Sequence, residues 1–192
     1  MKITVLTASP RPQGNTNQVT NVVVKELEAL GHECKTYNLY EKEIHPCTAC
    51  RKCQKNWETY ECMFDDDVME IYPEILKSEL LILSTPIYSW YCTAPMKAML
   101  DRLVYGLNKY YGEEKGPSLW AGTKVALIST CGYKVEKGMD LWEEGMKRYI
   151  KHSQLEYLGY LAERHKGYHL EFWDEEKEKR AQEFARKLGE KA

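Results

Sequence analysis

The sequence predicts a doubly wound α/β fold: a five-stranded parallel sheet with helices on both faces, in one domain over residues 1–192. Three observations predict it. Strand-like apolar runs alternate with amphipathic helical segments along the whole chain, the pattern of successive βα units. The first, third and fourth of those runs are almost uninterruptedly apolar, as befits central parallel strands covered on both faces. No internal repeat, low-complexity tract or linker-like stretch divides the chain, and its 192 residues suffice for one continuous core.

In order, the strands read as Lys2–Leu6, Cys34–Leu39, Leu80–Ser84, Lys124–Thr130 and Leu155–Ala162. Asn15 is placed to cap the first helix, with Gln18 in capping-box position and Val19, Val22, Val23, Leu27 and Leu30 as its apolar stripe. Gly31 suits its C-terminal stop. Asp67 with Glu70 repeats the cap signal for a second helix running to about Ser78. Pro95 opens the third, "PMKAMLDRLVYGL", from the first-turn position where proline is tolerated. A fourth helix is expected over Asp140–Lys151. The last begins at a capping Asp174, with Ala181, Phe184, Ala185 and Leu188 inward and Glu175–Lys179 and Glu176–Arg180 pairs on the wet side. Two longer segments remain irregular, Pro46–Cys62 and Asn108–Gly122, and loops of that length are usually functional.

Composition narrows the partners. Lys plus Arg number 27 against 29 Asp plus Glu, a net charge of −2, with no basic block to grip nucleic acid. The opening "MKITVLTASP" reads as a strand and turn, too short an apolar run for a signal peptide, and nothing approaches a membrane span. A soluble, cytoplasmic protein is the expectation. In that compartment thiols stay reduced, so clustered cysteines point to metal or redox chemistry before disulfides.

In such sheets ligands bind beyond the carboxyl ends of the strands, so the loops there carry the functional reading. After strand 1 comes "TASPRPQGNTN", running into a helix. A phosphate needs backbone N–H donors at a helix N-terminus, hydroxyls and a guanidinium. This loop offers Ser9, Arg11, Thr16 and the amides Asn15 and Asn17 around a permissive Gly14. An ordinary βα turn would account for Asn15 as a cap, but not for so many further donors. Neither G-x-G-x-x-G nor G-x-x-x-x-G-K-[ST] occurs, which argues against a Rossmann dinucleotide or an NTPase and leaves a mononucleotide with one terminal phosphate. After strand 3, Pro86, Tyr88, Trp90 and Tyr91 form a stiff aromatic loop suited to a flat polycyclic ligand. After strand 4, "STCGYKVEKG" again places small residues and an aromatic at the same edge.

"SPRPQGNT" followed by "TPIYSWYCTAPMKAMLDR" resembles the flavodoxin-like NAD(P)H-dependent FMN reductase superfamily, in particular the branch of iron–sulfur flavoproteins and their cluster-free relatives. The resemblance covers roughly Met1–Thr130 by motif. It implies a flavodoxin-like fold and FMN held at its phosphate by Ser9, Arg11, Asn15, Thr16 and Asn17. Pro86, Ile87, Tyr88 and Trp90 would lie along the ribityl chain and ring, with Thr130, Cys131 and Gly132 on the other side. It also implies a homodimer or homotetramer in which a neighbour helps close the flavin site. Lys97, Asp101 and Arg102 belong to the motif, but as helix residues they are expected to pack or pair.

Four of the seven cysteines fall in Pro46–Cys62. Cys47, Cys50 and Cys53 match the first three ligands of a ferredoxin-type run and of the iron–sulfur flavoproteins, which bind a [4Fe–4S] cluster through four thiolates. Cys62 would be the fourth, but it follows after "QKNWETYE", longer than the compact spacing of the cluster-bearing branch. The preferred expectation is a structural or redox-sensitive loop near the flavin, packed through Pro46, Trp57 and Tyr60 as a lid over a neighbour's site; the cluster is the alternative. Cys34 reads as a small buried hydrophobe; Cys92 and Cys131 fall in the presumed flavin loops, where packing is the preferred reading and a redox role the alternative. His45 lies beside the loop, and the Asp65–Asp67 run reads as helix capping. The functional expectation is an FMN-dependent oxidoreductase taking a hydride from NAD(P)H and passing electrons to a small acceptor, with no side-chain acid or base in the hydride step. An iron–sulfur electron-transfer flavoprotein and a non-catalytic flavodoxin-like carrier or regulator are the rivals.

Overall fold

Successive side chains of a strand point to opposite faces, so a sheet built from unbroken apolar runs needs helices on both sides. That is the arrangement found in the computed structural model, which describes residues 1–167 and 169–191. Strands β1 (Lys2–Thr7), β2 (Glu33–Asn38), β3 (Leu80–Pro86), β4 (Lys124–Cys131) and β5 (Glu156–Arg164) are all parallel, in the order β2-β1-β3-β4-β5. All five expected strands are present with ends shifted by no more than two residues. The predicted fold class therefore stands, and the chain has the flavodoxin-like order.

One face carries Leu6, Leu81, Leu83 and Leu127 under helices α2 (Val68–Lys77), α3 (Ala94–Leu107) and α5 (Asp140–His152). Ile3, Val5, Ile82 and Ile128 of the other face lie under α1 (Asn15–Ala29) and α6 (Glu175–Lys191). A single helical turn, α4 (Val135–Gly138), precedes α5. At the edge, half of β2 is exposed, and its Cys34 is half-buried rather than a full core residue. No helix among the described residues is long and apolar enough to cross a membrane.

Two helix starts differ from expectation. Gly14, not Asn15, holds the cap position of α1, and Asn15 is already helical; no side chain caps this end. Before α2, the Asp67 carboxylate accepts the Glu43 N–H at 2.7 Å, and Asp66 Oδ1 accepts the Val68 N–H at 3.2 Å instead. Asp174 does cap α6, accepting the Lys177 N–H at 2.8 Å. Of the two expected surface pairs, Glu176–Arg180 forms at 3.7 Å, whereas Lys179 turns to Glu183.

The segment 108–122 is not structureless. Asn108 and Ser118 form an antiparallel bridge, and the fully buried Asn108 amide joins Ser153 Oγ, Ser118 Oγ and Trp120 Nε1 at 2.8–3.0 Å. A polar side chain that buried needs all its partners, and here it finds them.

Candidate functional site

Hydroxyls and main-chain groups stitch the loops at the carboxyl edge of β1, β3 and β4 into one surface. Ala8 N–H donates to Ser84 O at 2.8 Å, and Ile87 N–H to Thr130 O at 2.8 Å. Thr93 Oγ1 donates to Ala8 O at 2.8 Å. Beneath the first loop the Thr16 and Thr130 hydroxyls meet at 2.7 Å, and Thr20 and Ser84 at 2.6 Å. Three loops that are distant in sequence are thus held in register.

Within the first loop, Arg11 O is the organising acceptor. It takes Gly14 N–H at 2.9 Å, Asn17 Nδ2 at 3.1 Å and Ser9 Oγ at 3.3 Å. Asn17 also donates to Pro12 O at 3.1 Å, so its amide nitrogen shapes the loop. A Cβ on Gly14 would sit 3.0 Å from Arg11 O and 3.3 Å from Ser9 Oγ. A side chain here would make Arg11 or Ser9 give by a few tenths of an ångström. With no side chain over the helix end, the first-turn N–H groups of α1 are left to face an anion. Arg11 is exposed beside them.

The second loop is a hairpin. Tyr88 and Tyr91 exchange backbone hydrogen bonds at 2.9 and 3.1 Å, and the two residues between them, Ser89 and Trp90, both have left-handed backbones with φ of +50° and +63°. Such a turn normally takes Asn-Gly, so two bulkier residues store strain here. The turn presents Trp90 outward, where it stacks on Tyr133 of the third loop with centroids 5.3 Å apart and planes 15° from parallel. Tyr88, Trp90 and Tyr133 are all exposed. Gly132 meets nothing within 4 Å of its would-be Cβ, leaving this strand end open. Pro86 and Thr130 are buried at the strand ends, and Ile87 is half-buried. Cys131 packs inward, its Sγ 2.7 Å from where a Gly138 Cβ would be, and burial raises its thiol pKa. Cys92 is buried too, its thiol pushed up to about 12. Both thiols are buried in the fold.

The cysteine loop lies elsewhere. Pro46 borders the first turn of α3 beside Ala94 and Pro95, but Cys47, Cys50, Cys53 and Cys62 line a cavity with Arg102, Tyr105 and Gly106. At 1.5 Å rise per residue that cavity is roughly 12–18 Å along the helix from its start, away from this chain's own sheet-edge loops. The expected packing residues do hold the loop, against α3 and its neighbours. Tyr60 is buried over Gly106 and stacks on Tyr72 at 4.6 Å, and Trp57 abuts Gly116. Gln54 Nε2 donates to Tyr105 O and to Asn108 O, the latter at 3.1 Å.

Two buried cations also belong to this region. Arg102 and Asp66 pair at 2.7 and 3.0 Å with side chains 1% exposed each. Arg102 further donates to His45 O at 3.0 Å and Tyr60 Oη at 3.2 Å. It thereby clasps both ends of the loop to α3, so Asp66 pairs as well as caps. Burial opposes Asp66 ionisation, but Arg102 and the His45 and Val68 amides outweigh it and hold the pKa below the usual carboxylate range. Lys97 pairs with Asp101 at 2.6 Å on the surface. Lys109, fully buried, donates to Cys53 O at 2.7 Å and Thr59 O at 2.9 Å, and burial lowers its pKa. The four thiols share one cavity but do not converge as they stand. Cys53 Sγ donates to Tyr105 O at 3.1 Å, and no three potential ligands among the described residues are grouped to hold a metal ion. Burial raises the Cys53 thiol pKa, with Gln54 and Lys109 pulling it back. Ligation would require Cys53 to leave Tyr105.

The comparisons agree with this architecture. The profile described as NADPH-dependent FMN reductase matches residues 1–139. An iron-sulfur flavoprotein from Archaeoglobus fulgidus is 31% identical over 172 residues, covering 81% of this chain and 77% of that one. A second, from Methanocaldococcus jannaschii, is 32% identical over 102 residues, about half of each chain (53% and 51%). Among solved structures, an NAD(P)H:quinone oxidoreductase from Methanothermobacter marburgensis superposes with a TM-score of 0.72 at 16% identity, covering 97% of this chain and 93% of that one. An FMN-dependent NADH-azoreductase from Bacillus anthracis gives 0.71 at 15%, over 98% and 100%. At such identities the structures speak to the fold alone. The sequence matches carry the assignment: the chain belongs to the NADPH-dependent FMN reductase family, an NAD(P)H-dependent FMN oxidoreductase with iron–sulfur flavoproteins among its relatives.

Proposed function

We propose that the protein holds FMN across the loops after β1, β3 and β4 and passes electrons from NAD(P)H to a small acceptor such as a quinone, a nitro- or azo-aromatic or a free flavin. The observation that carries this reading is the uncapped N-terminus of α1, reached through a glycine whose Cβ would fill the cradle, directly beside an outward aromatic wall. FMN supplies the hydride-accepting ring and the electron delivery. The chain's own residues bind and orient. First-turn N–H groups of α1, the Ser9 and Thr16 hydroxyls and Arg11 take the phosphate, while Asn15 and Asn17 shape and flank the loop. Pro86, Ile87, Tyr88 and Trp90 on one side and Thr130, Cys131 and Gly132 on the other border the ring. Trp90 and Tyr133 exclude water and offer π-faces to planar acceptors. The site works in a cytoplasmic homodimer or homotetramer whose neighbouring subunit helps cover it. Fluorescence titration tests the phosphate contact. FMN should bind much more tightly than riboflavin, and Arg11→Ala should weaken FMN by about 1.5–3 kcal/mol while leaving riboflavin unchanged. Equal affinities for the two flavins would refute it.

A second reading concerns the cysteines, and the shared cavity of Cys47, Cys50, Cys53 and Cys62 favours it alongside the iron-sulfur relatives. Four thiols form the donor set of a [4Fe–4S] centre, which would add one-electron chemistry. Anaerobic reconstitution decides between cluster and plain structural loop. About four iron per chain in the wild type, lost in Cys50→Ala, establishes the cluster; flavin without iron establishes the loop.

A further inference from the structure

A pocket of about 290 Å³ opens between the start of α1 and the connection from β5 to α6. That volume is at the low end of the roughly 300–1,000 Å³ of small-molecule sites, suited to one half of a dinucleotide. Arg11, Asn15 and Gln18 line it from the first loop and α1, and His165, Glu171 and Trp173 from the connection. Both sides are anchored. Gln18 Nε2 donates to Gln13 O at 3.2 Å, and His165 N–H donates to Cys131 O at 2.8 Å. Arg180 grips the buried Glu163 carboxylate through two hydrogen bonds of 2.7 and 3.0 Å, which ties α6 to the end of β5. Phe172 is buried beside Trp173, their ring centroids 6.3 Å apart.

Packing a connection onto a helix calls for apolar contact. The groups gathered here are instead a guanidinium, two amides, an imidazole, a carboxylate and an indole. They match the parts of an adenosine phosphate: a cation for the phosphate, a carboxylate for ribose hydroxyls, an aromatic face for the purine and amides for its edge. The pocket's place in the fold points the same way. Arg11 and Asn15 also border the concavity of the first loop, so the pocket adjoins the cradle proposed for the flavin phosphate. On its other side, Arg164 Nε donates to Gly132 O at 3.3 Å and His165 is tied to Cys131, so it also adjoins the open end of β4. A nucleotide extending from the flavin site along either border enters it. We propose that this pocket is an adenylate site, with Glu171 and Trp173 as its binding determinants, and that it takes the adenosine half of the reduced nicotinamide dinucleotide. The AMP half of FAD carries the same chemistry, and the experiment separates the two sources. The inference rests on the reductase reading for the identity of its ligand; binding of AMP is read without turnover, so the two can fail separately.

The test is titration of the FMN-loaded full chain with 5′-AMP, in wild type, Glu171→Gln and Trp173→Ala. FMN fills the first-loop cradle, so AMP cannot report on that site. Isothermal titration reads AMP, steady-state kinetics read KM and kcat for NADH and NADPH, and fluorescence reads FMN and FAD binding by the flavin-free chain. AMP should bind wild type, compete with the reduced nicotinamide and leave FMN in place. Each variant should weaken AMP, and raise KM for the preferred nicotinamide, at least about fivefold with kcat and FMN affinity unchanged, the signature of lost uniform binding. Flavin-free wild type that binds FAD more tightly than FMN, an excess both variants remove, upholds the site and makes FAD its source. AMP that does not bind, or that binds wild type and both variants alike, overturns the site. AMP bound as expected by a protein that neither nicotinamide reduces upholds the pocket while the reductase reading falls. Glu171 is exposed, so its variant decides the matter even where Trp173→Ala does not fold.

Discussion

Replacing Arg102 by methionine probes the clasp that fastens the cysteine loop. The substitution keeps an unbranched apolar stem but leaves Asp66, 1% exposed, without its cation, and removes the donors to His45 O and Tyr60 Oη. Breaking one side of a buried pair costs about 3–5 kcal/mol, far more than an exposed pair is worth. Asp66 retains the His45 and Val68 amides at 3.0 and 3.2 Å, which places the expected loss near the lower bound, about 3 kcal/mol. Urea unfolding of the flavin-loaded protein reads it, and limited proteolysis within 47–62 shows whether the loop opens first. The acid limb gives a second readout. The Asp66 pKa is depressed in the folded state, so the unfolded chain binds the proton first as pH falls. The pair's contribution is complete above the ordinary carboxylate pKa of about 4 and is lost as pH drops through the folded value. Without Arg102 that limb should flatten. A variant within about 1 kcal/mol of wild type, with an unchanged acid limb, would refute the clasp.

Three further outcomes follow from the geometry. Gly106→Ala should destabilise although alanine is the better helix former by about 1 kcal/mol, because its Cβ would lie 2.0 Å from the Tyr60 ring; a rise in the urea midpoint would contradict that packing. Gly14→Ala should leave the fold's stability within about 1 kcal/mol but weaken FMN by up to about tenfold, since the new Cβ crowds Arg11 O at 3.0 Å; isothermal titration with unchanged affinity would sink the cradle. Turnover should be ping-pong, because donor and acceptor must alternate over one flavin face beside the stacked Trp90 and Tyr133; Tyr91, expected there as well, is turned inward against Trp142. Intersecting double-reciprocal lines would count against it.

Strand number, helix faces and the location of the edge loops were legible in the sequence because each follows from local pattern: apolar runs for central strands, 3.6-residue stripes for helices. The strand order was available only as what the flavodoxin-like resemblance implies. The cap of α1 was misassigned to Asn15 because capping statistics favour asparagine over glycine. The structure instead puts Gly14 there, in a close approach to Arg11 and Ser9 that no local pattern reports. Ser89–Trp90 carries no turn signature either, since its left-handed backbone is imposed by the pairing of Tyr88 with Tyr91. The clasp and Lys109 were hidden for a different reason. Arg102 meets Asp66 thirty-six residues away, and Lys109 meets Cys53 fifty-six away, contacts that only the fold brings together. A lysine in an otherwise polar loop looks solvated, and only the fold shows it to be fully buried.

The central claim is that this chain, loaded with FMN, oxidises a reduced nicotinamide at its sheet edge. Anaerobic stopped-flow mixing with NADH or NADPH, in the absence of any acceptor, tests it most directly. The flavin's visible absorbance should bleach to completion with one equivalent of at least one of the two, and a quinone added afterwards should restore it. An FMN-loaded protein that stays oxidised with both nicotinamides, yet is bleached by a one-electron protein donor, would contradict the reductase assignment and make the chain an electron carrier.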